Sequence, residues 1–588
     1  MKFRLKKQDH KKVEIKHHMI SMGILSGIAC MLLYRAFRGF DWGDESFYLA
    51  LTNRFYRGDV PFRDEWHLSQ LYAIILLPIY SGFVEFTGST DGVYLFFRIL
   101  TTFLFFLTSM LTYKVIYQYT NSIRKSVFCA ITILIYSRAS MPTLSYYNVS
   151  FLSFILAVLS VFNMISEQRQ ERIQNGIQFW LFGICVAIAV CTNPYTVVIF
   201  LIVLIVMFWY AIRDRIWITR LVGAVSGCAT VALPFLMYLL NKISLREILD
   251  NLSMILHDPE HTEQPALLNA FRWFHEIFKK FGYVEIALLA IIIIITFYAG
   301  VKKKKMQSLT QQSVALVSLI IGISCVLKGS DMIGAAYVVL SILGLIAFLL
   351  RQNWNDITFY LIYLPGIALS FAWKYGSNTG LTTMAIGFAV SAMGSILLIM
   401  ELAEEANASG GAPYLRRDRV FKMMIIAFVV CVLVQTFYLR IFYVHRDAQF
   451  MELTQRITQG PAKGLYTEQG RKLQYDEIIE ALDRINNLTD SQDRVLISNL
   501  LPWCYPYLEA GVGAHSTWRV PLSSEYAKKY YMRNEKMKPD VIFALNPEYG
   551  ITNSKNPIDG VLGKYLMLQE APEEIIKSGT IYDLRENK

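Results

Sequence analysis

The sequence predicts a polytopic α-helical membrane protein of about thirteen transmembrane helices, ending in a small extracytoplasmic α/β domain. Three observations predict it. Of the 588 residues, 54% are hydrophobic and only 18% are charged, where an ordinary globular domain carries about a quarter charged residues. Apolar stretches of about 20 residues, enough to cross about 30 Å of hydrocarbon, recur from Met19 to Leu439. Beyond that point the composition turns polar and mixed in charge, with enough chain for one small soluble domain. A soluble enzyme is excluded. The net charge of +11 distributes into short loops, the positive-inside pattern, so it does not call for a nucleic-acid partner.

Residues 1–18 form a basic flank, with Lys2, Arg4, Lys6, Lys7, Lys11, Lys12 and Lys16 ahead of Met19 and no small-residue cleavage site after it. That reads as a cytosolic N-terminus. Span one follows at residues 19–37, and residues 38–96 form a long external loop. Within it the apolar run from Gln70 to Glu85 is short and contains Pro78, which suits an interfacial helix better than a span. Charge arbitrates. If this run stays outside, span two begins near residue 97. Arg124 and Lys125, Arg169 and Arg172, Arg213 with Arg215 and Arg220, Lys302 to Lys305, Arg351, and Arg416 with Arg417 and Arg419 then all fall inside.

The remaining spans start near residues 126, 149, 177, 196, 218, 282, 312, 332, 357, 381 and 421. An odd total exports the C-terminus, so residues 19–440 form the membrane domain and residues 441–588 an extracytoplasmic domain of a bacterial-type cell membrane protein. In that domain, residues 475–486 show helical apolar spacing through Ile478, Ile479, Leu482 and Ile485, while 495–498 and 541–544 read as buried strands. No nucleotide-binding fingerprint occurs. Seven cysteines lie in apolar stretches as small core residues, and Cys504 is alone in the terminal domain. No disulfide forms there, and no Cys/His spacing resembles a zinc site.

Charge placement points to chemistry on the outer face. Residues 40–70 read FDWGDESFYLALTNRFYRGDVPFRDEWHLSQ. Gly43 breaks the chain and Asp44 can cap a helix whose apolar positions Phe47, Ala50, Leu51 and Phe55 give an amphipathic surface helix. Asp44 and Glu45 sit at its positive end. Adjacent helical residues point about 100 degrees apart, so one carboxylate can face a cavity while the other is held by a neighbour. Asp41 lies just ahead of them. A hydrated loop with a helix cap explains these acids equally well taken alone. Support comes from Arg98, Arg138, Lys328 and Lys374, each at the external end of a span, against the inside bias. Snorkelling accounts for any one of them, and four together favour a polar cavity.

An outward cavity with carboxylates and cations at headgroup depth suits a phosphorylated lipid, since Arg and Lys neutralise a departing phosphate and an Asp can take a proton from an acceptor hydroxyl. His67, with Trp66 and Gln70, sits at the outer interface and is a candidate for shaping the donor or acceptor mouth. Tyr146, Tyr147 and Asn148, and the Asn193, Pro194, Tyr195 break, read as cavity lining or hinge. His257 and His261 are separated by Pro259 and read as a solvated loop rather than a metal pair. The sequence calls for no cofactor with certainty. It offers no metal-ligand set, and leaves room for a divalent metal.

A basic N-terminus, one span, then an external helix opening on Asp44 and Glu45 resembles the GT-C superfamily of membrane glycosyltransferases, in particular protein O-mannosyltransferases and aminoarabinose lipid A transferases. The likeness runs through SFYLALTNRFYRG, GDVPF and a Pro-containing helix to Arg98 and Ile99 opening span two. The aminoarabinose branch's Lys-Pro-Pro motif is replaced here by EWHLSQ. The resemblance implies inverting transfer of a sugar from a polyprenyl-phosphate donor to a glycan, lipid or protein acceptor among membrane lipids. It places Asp44 as base or acceptor-orienting carboxylate and Arg98 near the phosphate. A transporter or flippase of lipid-linked saccharides, or a polymerase of surface polysaccharide, would want similar cations and a lipid groove. The internal repeats or paired broken helices frequent in transporters are not found.

Overall fold

The structure, a computed structural model, describes residues 2–169, 177–213, 215–257, 266–302, 308–375, 380–408, 415–518, 524–550, 558 and 560–585. The expectations at Arg172, Lys303, Lys304, Lys305, Pro259 and His261 lie outside them. Helices dominate: α1 (Lys2–Ala36), α2 (Asp44–Tyr56), α3 (Leu71–Thr87), α4 (Val93–Thr120), α5 (Ile123–Leu134), α6 (Tyr146–Arg169), α7 (Ile177–Thr192), α8 (Val197–Arg213) and α9 (Arg215–Lys242) come first. They are followed by α10 (Leu245–Ile255), α11 (Ala266–Phe281), α12 (Tyr283–Val301), α13 (Ser308–Lys328), α14 (Ala335–Arg351), α15 (Leu364–Tyr375), α16 (Leu381–Ala408) and α17 (Leu415–Phe442).

Among the described residues, eight helices are long and apolar enough to cross a membrane: α1, α4, α6, α9, α12, α13, α16 and α17, each in whole or in its apolar part. The chain is an integral membrane protein. A helix stands at every one of the thirteen expected positions, but the other five fall on α5, α7, α8, α14 and a π turn at Phe359–Tyr363 that runs into α15. Local chemistry shortens them. Asn193 and Pro194 end α7, and left-handed caps at Gly334 and Gln352 bound α14. Helix α3 contains Pro78 and stops at the left-handed cap Gly88.

Small residues let the central helices approach closely, the usual means of association where lipid removes the hydrophobic drive. The apolar window of α16 is completely buried. A Cβ on Gly387 would meet the backbone nitrogen of Ser370 in α15 at 2.2 Å, and one on Gly366 would meet that of Ser391 in α16 at 2.3 Å. Gly183 of α7 and Gly227 of α9 make the same kind of contact with each other's helices.

The terminal segment adds α18 (Gln469–Leu488), α19 (Ser524–Arg533), α20 (Gly560–Tyr565) and strands β1 (Gln455–Arg456), β2 (Tyr466–Thr467), β3 (Arg494–Ile497), β4 (Gly511–Val512), β5 (Val541–Leu545), β6 (Glu573–Ile576) and β7 (Gly579–Asp583). A five-stranded sheet has the order β4-β3-β5-β7-β6. β3 runs parallel to β4 and β5, while β7 is antiparallel to β5 and β6. The two strand readings from sequence fall on β3 and β5, side by side at its centre.

This segment seats on the first loop through backbone hydrogen bonds. The Gly39 N–H donates to the Tyr466 carbonyl at 2.7 Å, Tyr466 donates to Phe37 at 2.8 Å, and Trp66 donates to His515 at 2.8 Å. The expectation of a surface helix at α2 is therefore corrected. Residues from Glu45 to Phe55 are all buried, because the terminal segment covers the side turned away from α3. Asn53 reaches the Tyr505 carbonyl at 3.5 Å and accepts from the Tyr80 hydroxyl of α3 at 3.0 Å.

Candidate active site

The adjacent acids at the start of α2 take different partners. Glu45 is buried and receives both arms of Arg98, with Nε to Oε1 at 2.6 Å and Nη2 to Oε2 at 2.5 Å. Arg98 also donates to the Ala36 carbonyl at 2.8 Å. A bidentate pair of this kind fixes both side chains. It ties the start of α2 to α4 and to the end of α1, and it leaves Arg98 committed to the protein.

Asp44 points the other way and keeps 14% side-chain exposure. Its Oδ2 lies 3.7 Å from Nη1 of Arg138 and 3.4 Å from Nε2 of His445, and its Oδ1 lies 3.5 Å from Nη1 of Arg446. Asp41 stands behind it, accepting the backbone N–H groups of Gly43 at 2.9 Å and Glu45 at 3.2 Å. Those bonds satisfy donors at the first turn of α2, a capping role that the sequence reading gave to Asp44. Burial, and then the Asp44 charge beside it, push the Asp41 carboxyl up to about 6. Burial also works to raise Asp44, but the nearby His445 ring and the charges of Arg138 and Arg446 outweigh it and hold that carboxyl below its ordinary range. Asp44 therefore stays ionised while Asp41 takes a proton as the pH falls through about 6.

Arg138 is carried by a strained turn. Ala139 and Ser140 both have left-handed backbone, with φ of 50° and 58°, a conformation that costs non-glycine residues about 1–3 kcal/mol each. Arg440 near the end of α17 holds the turn, donating to the Ser140 carbonyl at 2.7 Å. Asn148 holds its far side through the Thr143 carbonyl at 2.6 Å. The guanidinium sits 4.2 Å over the Tyr147 ring, and Tyr147 in turn packs on Trp373 at 4.9 Å. The Arg138 Nε–H is buried and finds no acceptor among the described residues. A buried charged donor left without a partner is available to an incoming oxyanion.

Of the residues singled out from sequence, the structure brings Asp41, Asp44 and Arg138 together and sets Glu45 and Arg98 behind them as a buried pair. His67 lies against Phe47 at 4.7 Å between ring centres, and its Nδ1 accepts from the Ser69 N–H at 3.0 Å. Lys328 pairs with Glu285 at 2.6 Å, and Lys374 with Glu276 at 3.5 Å; neither makes an ion pair with the α2 acids. Tyr146 and Tyr147 line the Arg138 side, whereas Asn193 caps the turn that starts α8.

Sequence reasoning missed His445 and Arg446. They follow the last span in the run Phe442-Tyr443-Val444-His445-Arg446-Asp447, a charged cluster at a span's exit. It also missed the buried Arg54, which bonds Asp59 at 2.8 Å and Glu65 at 2.9 Å and so braces the first loop. One ligand atom each from Asp41, Asp44 and His445 falls within 4.8 Å of the others, which is metal-like spacing. Arg138 and Arg446 sit against the same carboxylates, so their positive charge offsets the pull on a divalent cation.

Comparison with known families gives a match over about a third of the chain. Residues 53–248 match the family model of dolichyl-phosphate-mannose-protein mannosyltransferase. They form a domain of a GT-C glycosyltransferase family. The matched stretch of this GT-C domain opens within α2 and closes within α10, taking in His67, Arg98 and Arg138. Asp41, Asp44, Glu45, Lys328, Lys374 and His445 lie outside it. A search among curated proteins returns no match.

Proposed function

We propose that this protein transfers a sugar from a polyprenyl-phosphate carrier to an acceptor hydroxyl on the extracytoplasmic face, with inversion at the anomeric carbon. The bond between that carbon and the phosphate oxygen breaks as the bond to the acceptor oxygen forms. Polyprenyl phosphate leaves with the electron pair, and the acceptor proton passes toward Asp44. Asp44 is the base or acceptor-orienting carboxylate, and its depressed pKa favours the orienting role, since a weak base takes the proton late. Arg138 and Arg446 neutralise the departing phosphate. Glu45 and Arg98 keep the α2 terminus in register with α4. A protein acceptor is favoured by the family match.

The observation that carries this reading is Asp44 facing Arg138, whose Nε–H is buried without an acceptor among the described residues. The test gives the purified full chain, in lipid vesicles, a panel of polyprenyl-phosphate sugars with candidate acceptors. One donor should show acceptor-dependent release of polyprenyl phosphate in step with glycosylated product. Movement of a labelled lipid-linked sugar across the bilayer without bond cleavage would replace this reading with a transporter.

A further inference from the structure

A polar cavity opens at the end of the bundle away from Asp44. The direction of α4 fixes the separation: Arg98 near its start meets Glu45, while Tyr117 near its end meets Glu14 of α1. The intervening turns, at about 1.5 Å per residue, span the thickness of a bilayer core. Between α1, α5, α16 and α17 lies a cavity of about 710 Å³, within the range that holds small ligands. Its charged lining is Glu14, Arg124, Glu404 and Lys422, with His17 beside them.

Partner bookkeeping decides which charge this cavity accepts. Both carboxylates are engaged, Glu14 by the Tyr117 hydroxyl and Glu404 by the Lys125 ammonium at 2.7 Å. Arg124 and Lys422 have no hydrogen bond or ion pair among the described residues. The first turn of α5 also borders the cavity, with Ser122 capping the Lys125 N–H, so the positive end of that helix adds to the two cations. The unpaired charged groups of the lining are both positive. Val13 and Ile20, each about half exposed on α1, continue the wall outward as apolar surface.

We infer that this cavity binds the phosphodiester headgroup of an anionic membrane lipid between Arg124 and Lys422, with its acyl chains along the exposed face of α1. Basic pockets between membrane helices take such headgroups, and each basic group near the surface contributes roughly a fivefold factor. The inference does not depend on the transfer reaction.

The test measures association of spin-labelled phosphatidylglycerol with the full chain in phosphatidylcholine vesicles, against spin-labelled phosphatidylcholine. The wild type should prefer phosphatidylglycerol. Arg124→Gln combined with Lys422→Gln should lower that preference by roughly tenfold or more, while Lys422→Arg retains it. Lys114→Gln, which removes a cation from α4 outside the cavity, should leave it unchanged. A double variant that keeps the full preference overturns the site, as does an equal loss in Lys114→Gln. Displacement of the lipid by millimolar soluble glycerol phosphate overturns the lipid assignment in favour of a free-anion site.

Discussion

Glu45→Ala should destabilise the detergent-solubilised protein by about 3–5 kcal/mol in denaturant titration, the usual cost of leaving one member of a buried ion pair unpaired. Arg98 would remain in place with 2% side-chain exposure and only the backbone carbonyls of Ala36 at 2.8 Å and Arg38 at 3.5 Å for company. Arg35 and Arg440, both buried, lie close enough to feel the same carboxylate, so the alanine leaves a cluster of guanidinium groups with less to hold it. Glu45→Ala with Arg98→Met should recover most of the loss, because an apolar side chain replaces the stranded charge. If the single variant unfolds at the wild-type denaturant concentration, the buried pair is not what anchors α2.

Arg138→Gln should reduce turnover by about 10²–10³, the range for losing one donor to developing oxyanion charge. The neighbouring turn supports that expectation. Two consecutive left-handed non-glycine residues persist only where surrounding structure holds them, and Arg440 and Asn148 do so here. Arg138→Lys should recover part of the loss, since an ammonium keeps the charge but not the planar fork. Unfolding midpoints should stay near wild type for both, because the Asp44 contact at 3.7 Å is loose. Turnover within twofold of wild type in Arg138→Gln would assign phosphate neutralisation elsewhere, Arg446 first.

Much of this architecture was legible along the chain because its cause is local. Hydropathy placed a helix at every expected position, and the apolar runs at Val495 and Val541 marked two paired central strands. The split between Asp44 and Glu45 followed from helical geometry, since residues about 100 degrees apart meet different neighbours. What hydropathy missed depended on contacts distant in sequence. Nothing local in the run from Asp44 to Tyr56 reveals that residues beyond 500 cover it, so it reads as a surface helix. His445 reaches Asp44 across 401 positions, and one chain offers no signal for that pairing. Lys328 and Lys374 were grouped with the site by membrane depth alone. Depth does not fix azimuth around a bundle, and Glu285 and Glu276 hold them on other helices.

The most direct measurement is release of polyprenyl phosphate by wild type and Asp44→Asn across pH, with folding of both verified. The wild-type profile should change slope near pH 6 as Asp41 takes a proton. The larger fall should come only as Asp44 itself protonates, below the ordinary carboxylate range. Asp44→Asn should release lipid phosphate about 10²–10⁴ times more slowly wherever Asp44 is ionised in the wild type, and the gap should close as Asp44 protonates. Release at the wild-type rate from the folded Asp44→Asn protein would contradict the role of this carboxylate in sugar transfer.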